Sequence, residues 1–524
     1  MAPKDGAPQH LDNVAPTPSI EAPDDHEKIA RASVEDDLKR PEKFEPPELV
    51  RGMTPERRAS AERALVRKID FRLLPMIILM YIMNYLDRNN IAAAKLAGLE
   101  SDLNLTSVQY STSVSILFVG YILMQVPSNI LLNKIGKPAL YLPTCMGIWG
   151  GISTATAACN SFGGLVAVRF MLGFVEAVYF PGCLYYLSCW YTRKELGLRY
   201  AFLYAGSLIS GAFSGLIAAG ITGNMDGLHG LRAWRWLFII EGSITVGLAV
   251  SSIFILPNFP RTTKWLTEEE IQLATWRLVE DVGEDDWVDS EQQSLWHGAK
   301  LAFTDAKTYV LMVILFCIVS SASVTNFFPT VVQTLGFSNI ITLVLTAPPY
   351  VLCVIVTMIN AWHADRTGER YFHITIPLYI TMAAFIIAVA TTNTAARYFA
   401  MVIMVPSFYC SFILVLTWIS NTLPRPPAKR AAALAGINAV SNTASIYASY
   451  MYPTSAAPRY VVAMSVNTAT AFIAIIFCTI LRFMLVRLNK KLDEGMAVED
   501  IRDQEVDENG IPVVGTQRGF RYKV

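Results

Sequence analysis

Four stretches of this 524-residue chain, Leu311 to Ala364, Tyr371 to Ala396, Tyr398 to Pro424 and Tyr460 to Leu481, contain no Asp, Glu, Lys or Arg. Few folds survive that constraint. A helix needs about 20 apolar residues to cross roughly 30 Å of hydrocarbon, and backbone amides in lipid must be satisfied within the segment or in a closed barrel. The period-2 alternation of a barrel is absent, so the chain reads as all-α and polytopic. The remainder agrees, at 53% hydrophobic and only 16% charged residues, which is too apolar for a soluble globule of this size.

Windows of that length predict twelve transmembrane spans, near 71–93, 108–133, 138–158, 162–190, 199–222, 235–256, 308–334, 341–363, 372–392, 397–421, 431–453 and 461–486. The domain reading follows: a disordered cytoplasmic tail at 1–70, a six-helix bundle at 71–256, a cytoplasmic linker at 257–307, a second six-helix bundle at 308–486, and a charged, mobile cytoplasmic tail at 487–524. Within the linker, Thr267-Glu268-Glu269-Glu270 reads as a helix start, with acids placed to meet the N-terminal dipole. Basic residues in the short connections, such as Lys134, Lys137, Arg193, Lys194, Arg199, Arg366, Arg370, Arg425, Lys429 and Arg430, share one side with Arg487, Lys490 and Lys491. By the positive-inside rule that side is cytoplasmic, as are both termini. No apolar run follows Met1, so the first span is expected to act as the insertion signal. Asn104-Leu105-Thr106 falls in the first external loop as a glycosylation sequon.

Charge inside the spans is rare and concentrated. Asp87 and Arg88 lie in the first span, Arg169 and Glu176 in the fourth, and Glu241 in the sixth. An ionisable group in a bilayer costs on the order of 3 kcal/mol even on lenient scales, so it persists where it is paired or faces a water-filled path. Arg169 and Glu176 share a helix face about 10 Å apart along the axis, too far for a tight pair, so each is expected to find partners on another helix. A cross-helix network of both acids and both arginines is the expectation. It is neutral with both acids ionised, and one added proton makes it positive and suited to a carboxylate. Asp87 and Glu176 are therefore assigned to proton coupling, Arg88 to the substrate, and Arg169 to orienting Glu176, because the guanidinium fork matches a carboxylate and stays charged. A static salt-bridge network holding helices together is the competing reading.

Other groups carry weaker signals. Asn84 and Tyr85 flank the charged pair, with Tyr81 and Asn84 on the Arg88 face. Asn326, Tyr350, Tyr409, Asn438 and Asn442 could offer hydrogen bonds from the uncharged half, or join helices to one another. Glu241 within Trp234-Arg-Trp-Leu-Phe-Ile-Ile-Glu241-Gly242 reads as packing. His363 and His373 read as exposed, and Gly206, Gly211 and Gly215 as points of close helix approach. The eight cysteines form no Cys-x-x-Cys pair, and neither a metal nor a cofactor is expected. Lys plus Arg balance Asp plus Glu at 43 each, which leaves no nucleic-acid footprint. No protease, hydrolase or P-loop motif stands in a span, against an enzyme or a primary pump.

Two connections at matching places in the halves are alike: Asn129-Ile-Leu-Leu-Asn133-Lys134-Ile-Gly136-Lys137-Pro138 and Ala361-Trp-His-Ala-Asp365-Arg366-Thr-Gly368-Glu369-Arg370. The second resembles the G-x-x-x-D-R-x-G-R-R loop of the major facilitator superfamily, and the first a degenerate copy with Asn133 in place of the acid. Asn133, Lys134, Gly136, Asp365, Arg366, Gly368 and Arg370 are the expected gating-loop residues. Asn84-Tyr85-Leu-Asp87-Arg88-Asn89-Asn90, Arg169-Phe-Met-Leu-Gly173-Phe-Val-Glu176 and Glu195 with Arg199 resemble the anion:cation symporter branch. Thr325-Asn326-Phe-Phe-Pro329 and Tyr452-Pro-Thr-Ser-Ala-Ala-Pro458-Arg459-Tyr460 are similar to fungal allantoate, nicotinate and pantothenate permeases. The resemblance implies two parallel bundles with a midplane site between them, a monomer in the plasma membrane, and proton-coupled import of a small organic anion. Efflux of a fungal metabolite and transporter-like nutrient sensing remain open alternatives.

Overall fold

The structure is a computed structural model and describes residues 46–135, 137–282, 295–423, 427–494 and 521–524. The described residues before Met53 belong to a unit of their own, with one short helix at Glu48–Arg51. In the main unit the helices α1 to α6 are Pro55–Leu96, Ser107–Ile135, Pro138–Thr156, Phe162–Glu176 continued by Tyr179–Ser188, Arg193–Asn224 and Ala233–Ile255. The helices α7 to α12 are Ala306–Ala322 continued to Gln333 through a 3-10 turn at Ser323–Phe327, Asn339–Leu345 with Ala347–Thr367, Tyr371–Ala390, Thr394–Thr422, Pro427–Asn442 with Ala444–Ala448, and Val461–Asp493. Ten of them are long and apolar enough to cross a membrane by composition alone. The remaining two, α3 and α11, complete an all-helical twelve-span fold.

Helix starts follow from local chemistry. Ser161, Asp305 and Asn393 each accept a hydrogen bond from a first-turn amide, Gly164 at 3.3 Å, Lys307 at 2.9 Å and Ala396 at 3.1 Å, as N-caps do. A capping box of Thr192 and Glu195 sets the start of α5. Hydropathy misses one large feature. The helix α1 begins at Pro55, capped by Thr54, well before the expected 71, because its first four turns are not lipid-facing.

Those turns dock the linker. The helix Glu268–Val282 starts at the predicted place, where the Thr267 amide donates to Glu270 Oε2 at 2.8 Å and Glu270 N returns a bond to Thr267 Oγ1 at 3.3 Å. It lies along α1 through Arg57 and Glu269 at 3.0 Å, Lys68 and Glu270 at 2.7 Å, and Arg58 with Glu280. Arg277 adds a 3.0 Å pair with Glu195 and donates to the Trp190 carbonyl at 2.8 Å. Trp265 stacks on Trp190, and the Lys68 ammonium lies over the Trp265 ring.

The tail reading needs a correction at its end. Residues 495–520 lie outside the described residues, but Arg521–Val524 pack on the second bundle. Trp418 Nε1 donates to the Lys523 carbonyl at 2.9 Å, Arg370 N to the Val524 carbonyl at 2.9 Å, and Asn489 bonds the Tyr522 backbone in both directions. Tyr522 is buried beneath Lys307.

The bundles meet chiefly along α5 and α8 and at the end that carries the 97–106 and 453–460 connections. There Tyr450 OH lies 3.1 Å from Thr112 Oγ1, Asn339 Nδ2 donates to the Leu96 carbonyl at 2.9 Å, and Thr454 N donates to Ser107 Oγ at 3.3 Å. On α5 a Cβ at Gly211 would overlap the Tyr350 ring, and one at Gly215 would overlap Thr346 and the Leu343 carbonyl. These glycines let the halves touch. A cavity of about 20 Å³ lies between them here, lined by Asn89, Gly211, Gly215, Thr325 and Tyr350, room for about one water.

Candidate functional site

The intramembrane charges of the first bundle separate into two sets on different faces of α1. Arg88 and Asp87 are consecutive, so their side chains leave the helix about 100° apart. Arg88 turns toward α2 and α4, where its Nε donates to Glu176 Oε2 at 3.1 Å. Its guanidinium also lies 4.7 Å from the Tyr121 ring centre and 5.3 Å from that of Tyr85. Asp87 turns toward α3 and α6, accepting from Ser153 Oγ at 2.7 Å and from Thr245 Oγ1 at 2.8 Å.

This differs from the single expected network. Neither arginine bonds Asp87, and Arg169 does not bond Glu176 among the described residues. Arg169 instead spans helices through backbone carbonyls: Nε donates to Ser113 O at 3.3 Å and Nη2 to Arg88 O at 3.4 Å. The reason is reach. Arg169 sits two turns from Glu176, level with the Arg88 backbone and not with the Glu176 carboxylate. It ties α4 to α1 and α2 directly behind the residue that carries the Glu176 pair.

Exposure ranks the four groups. The side chain of Glu176 is fully buried, whereas 12% of the Arg88 side chain is open, and Asp87 and Arg169 are buried. Glu176 Oε1 and Arg169 Nη1 have no hydrogen-bond partner among the described residues. Glu176 also ends the first segment of α4, which restarts at Tyr179. Ala177 and Val178 keep helical dihedrals, and Pro181 just beyond offers no amide to the helix ladder, so the pair sits at a locally weakened turn of α4.

Aromatic rings extend from Arg88 to the other bundle. Tyr81 contacts Tyr85 at 5.1 Å and stacks on Phe180 at 5.8 Å, Phe180 meets Tyr204 at 6.4 Å, and Tyr204 reaches Phe412 of α10 at 5.4 Å. Tyr409 continues the row beside Phe412. Of the expected polar partners, Asn84 is buried with Nδ2 unpartnered. Asn326 lies in the 3-10 turn of α7, and Asn438 accepts through its backbone carbonyl from Asn442 Nδ2 at 2.9 Å. Among the described residues neither bonds Arg88 or Arg169.

The second-bundle loop has the geometry that its sequence suggests. Gly368 takes φ 71° to end α8, a left-handed turn that suits glycine. Asp365 Oδ1 accepts from Arg370 Nη2 at 2.5 Å, and Arg366 stacks over Trp362. His363 and His373 form a chain, 2.6 Å apart, that ends on Glu369 Oε2 at 2.7 Å. In the first-bundle copy, Gly136 and the side chains of Asn133 and Lys134 lie outside the described residues. Arg199, by contrast, binds Asp70 through both forks, at 3.1 and 2.6 Å.

The profile of the Major Facilitator Superfamily matches residues 77–449. The chain belongs to this superfamily. It is 33% identical to the MFS-type transporter cnsO of Penicillium expansum over 84% of this chain and 87% of that protein. It is 30% identical to the major facilitator-type transporter hxnP of Emericella nidulans, over 85% and 90%. Among solved structures, a bacterial homolog of the human lysosomal transporter Spinster, inward-facing and occupied, superposes with TM-score 0.62 at 14% identity, covering 79% of this chain and 97% of that one. A D-xylose–proton symporter gives 0.58 at 15% identity, over 77% and 96%. The protein is thus a multi-pass membrane transporter of small molecules.

Proposed function

We propose that this major facilitator transporter carries a small organic anion, a carboxylate of nicotinate size, together with protons by alternating access. The observation that carries the reading is the Arg88–Glu176 pair, fully buried on the acid side and slightly open on the arginine side. A carboxylate substrate offers Arg88 the same partner that Glu176 offers. Protonation of Glu176 frees the guanidinium fork, and the arriving anion replaces the lost charge, so Arg88 is never left bare in a medium where an unpaired ion is costly. Tyr85, Tyr121 and the ring row toward Phe412 supply faces for a planar substrate. Asn84, Asn326 and Asn438 are the polar positions proposed to select its remaining groups, and Arg169 holds the helices around the site.

Proton coupling is assigned to Glu176 and Asp87. The loops at Asp365, Arg366, Gly368 and Arg370, and at Asn133, Lys134 and Gly136, are proposed to latch helix ends in one state. Import across the plasma membrane by a monomer, with both termini cytoplasmic, completes the proposal. Purified protein in liposomes tests the central contact by nicotinate counterflow. Arg88→Lys keeps the charge and removes the fork, and should weaken apparent affinity about tenfold, or about 1.4 kcal/mol. An unchanged affinity would remove Arg88 from the binding site.

A further inference from the structure

Glu241 is the one intramembrane acid that the reading above leaves unused, and its surroundings are not those of a packing residue. Only 1% of it is exposed, and neither carboxyl oxygen has a hydrogen-bond partner among the described residues. It lies on α6 one turn before Thr245, on the face that meets α1 and α3. Its polar neighbours are Asp87 and Asn90, both from α1. Asn90 is completely buried, and both of its side-chain polar atoms are also unpartnered. The helices packed on α6 are α3, α1 and α5. Of these, only α1 presents a charged group that acts on Glu241, namely Asp87.

Two carboxyl groups thus share a dry seam in which no cation bonds either of them among the described residues, while Arg169 and Glu176 of α4 act on Asp87 from a distance with opposite signs. Both cannot be ionised there, since like charges in one site oppose each other and an unpaired buried ion costs several kcal/mol. The donors decide where the charge sits. Each oxygen of Asp87 already receives a hydroxyl, from Ser153 or Thr245, which suits a carboxylate. Glu241 receives no hydroxyl and only the looser approach of the Asn90 amide, so it is the group better suited to hold the proton. Hydroxyls rotate and can accept as well as donate, so the same shell also tolerates a protonated Asp87.

We propose that Glu241 is the proton-holding partner of Asp87, and that a coupled proton, besides the one that releases Arg88 from Glu176, resides on this carboxyl pair in the α1–α3–α6 seam. The inference rests on the proton-coupled reading for its transport consequence, but not for its chemistry. It puts this proton and the anion on different faces of α1. Discharging the seam changes what holds Asp87, and the next residue, Arg88, feels the shift through the helix backbone.

Infrared spectroscopy of the purified protein separates the chemistry from transport. The wild type should show the carbonyl absorption of a protonated, buried carboxylic acid at neutral pH. Glu241→Gln should lose it, whereas Asp87→Asn should keep it, fading at a pH lower by about one unit because a neighbouring negative charge is gone. Persistence of the absorption in Glu241→Gln, or an unmoved fading point in Asp87→Asn, would overturn the pair. In liposomes, Glu241→Gln should displace the pH profile of nicotinate uptake by about one unit. Loss of the absorption with an unmoved profile would make Glu241 a fixed neutral group and overturn its role in coupling. If the wild type moves no carboxylate, the transport reading fails while the infrared result still decides whether the pair shares a proton.

Discussion

A carboxylate that meets only hydroxyls and one that meets a guanidinium answer differently to the loss of their charge. Asp87→Asn keeps shape and can still hydrogen-bond Ser153 and Thr245, so folding should persist while gradient-driven accumulation is lost and substrate exchange partly survives. Parallel measurements of accumulation and counterflow check this, and wild-type accumulation would remove Asp87 from the coupling mechanism. Glu176→Gln should instead leave Arg88 buried without its counter-ion, where breaking such a pair costs about 3–5 kcal/mol. The expected outcome is a lower unfolding temperature that an added carboxylate substrate restores. The charged residues were legible because lipid makes each of them an exception. Their partners were not. Ser153, Thr245 and Ser113 look like any small residue of a span, and the separation of Asp87 from the arginines depends on which neighbours α1 meets, which no single-helix pattern encodes.

At the scale of elements, the linker helix and α1 form one docked pair held by Arg57, Arg58 and Lys68 against Glu269, Glu280 and Glu270, and Arg277 of the linker adds a pair with Glu195 of α5. Partial burial pushes Glu270 up, but the Lys68 ammonium and the Thr267 donors outweigh it and hold the group below its usual carboxylate range. A depressed acid contributes stability above its unfolded value and loses it as pH falls through the folded one. Docking should therefore loosen in acid and in high salt, seen as faster proteolysis near Glu280, and Lys68→Glu should mimic this at neutral pH. Insensitivity to both would mean that the Trp190 and Trp265 contact alone holds the linker. The docked end segment makes a second prediction. Tyr522→Ala should cost about 3 kcal/mol, as truncating a buried aromatic does, read as a lower unfolding temperature. The helix start at Thr267 was legible from its capping chemistry, while the early start of α1 was not, because hydropathy sees only the turns that lipid touches.

In the whole molecule, α5 and α8 bring the two bundles together at one end, the closure that alternating access would have to open, and Gly215 is what lets them meet. Gly215→Val should block that closure by overlap with Thr346, abolishing counterflow while the separate bundles stay folded. Retained counterflow would show that this contact is not part of the cycle. The twelve-span architecture could be read from apolar run length and the repeated loop, since both are properties of sequence order. Which helices touch across the bundles could not, because that depends on surface fit between distant segments.

The most direct test of the account is uptake of radiolabelled carboxylates, nicotinate first, by cells expressing this chain, at acidic and neutral external pH, with and without a protonophore. The account predicts that one carboxylate accumulates more at acidic pH, collapses to equilibrium with the protonophore, and fails to accumulate in Asp87→Asn. Accumulation that ignores both pH and protonophore, or no carboxylate uptake despite confirmed surface expression, would contradict proton-coupled anion import.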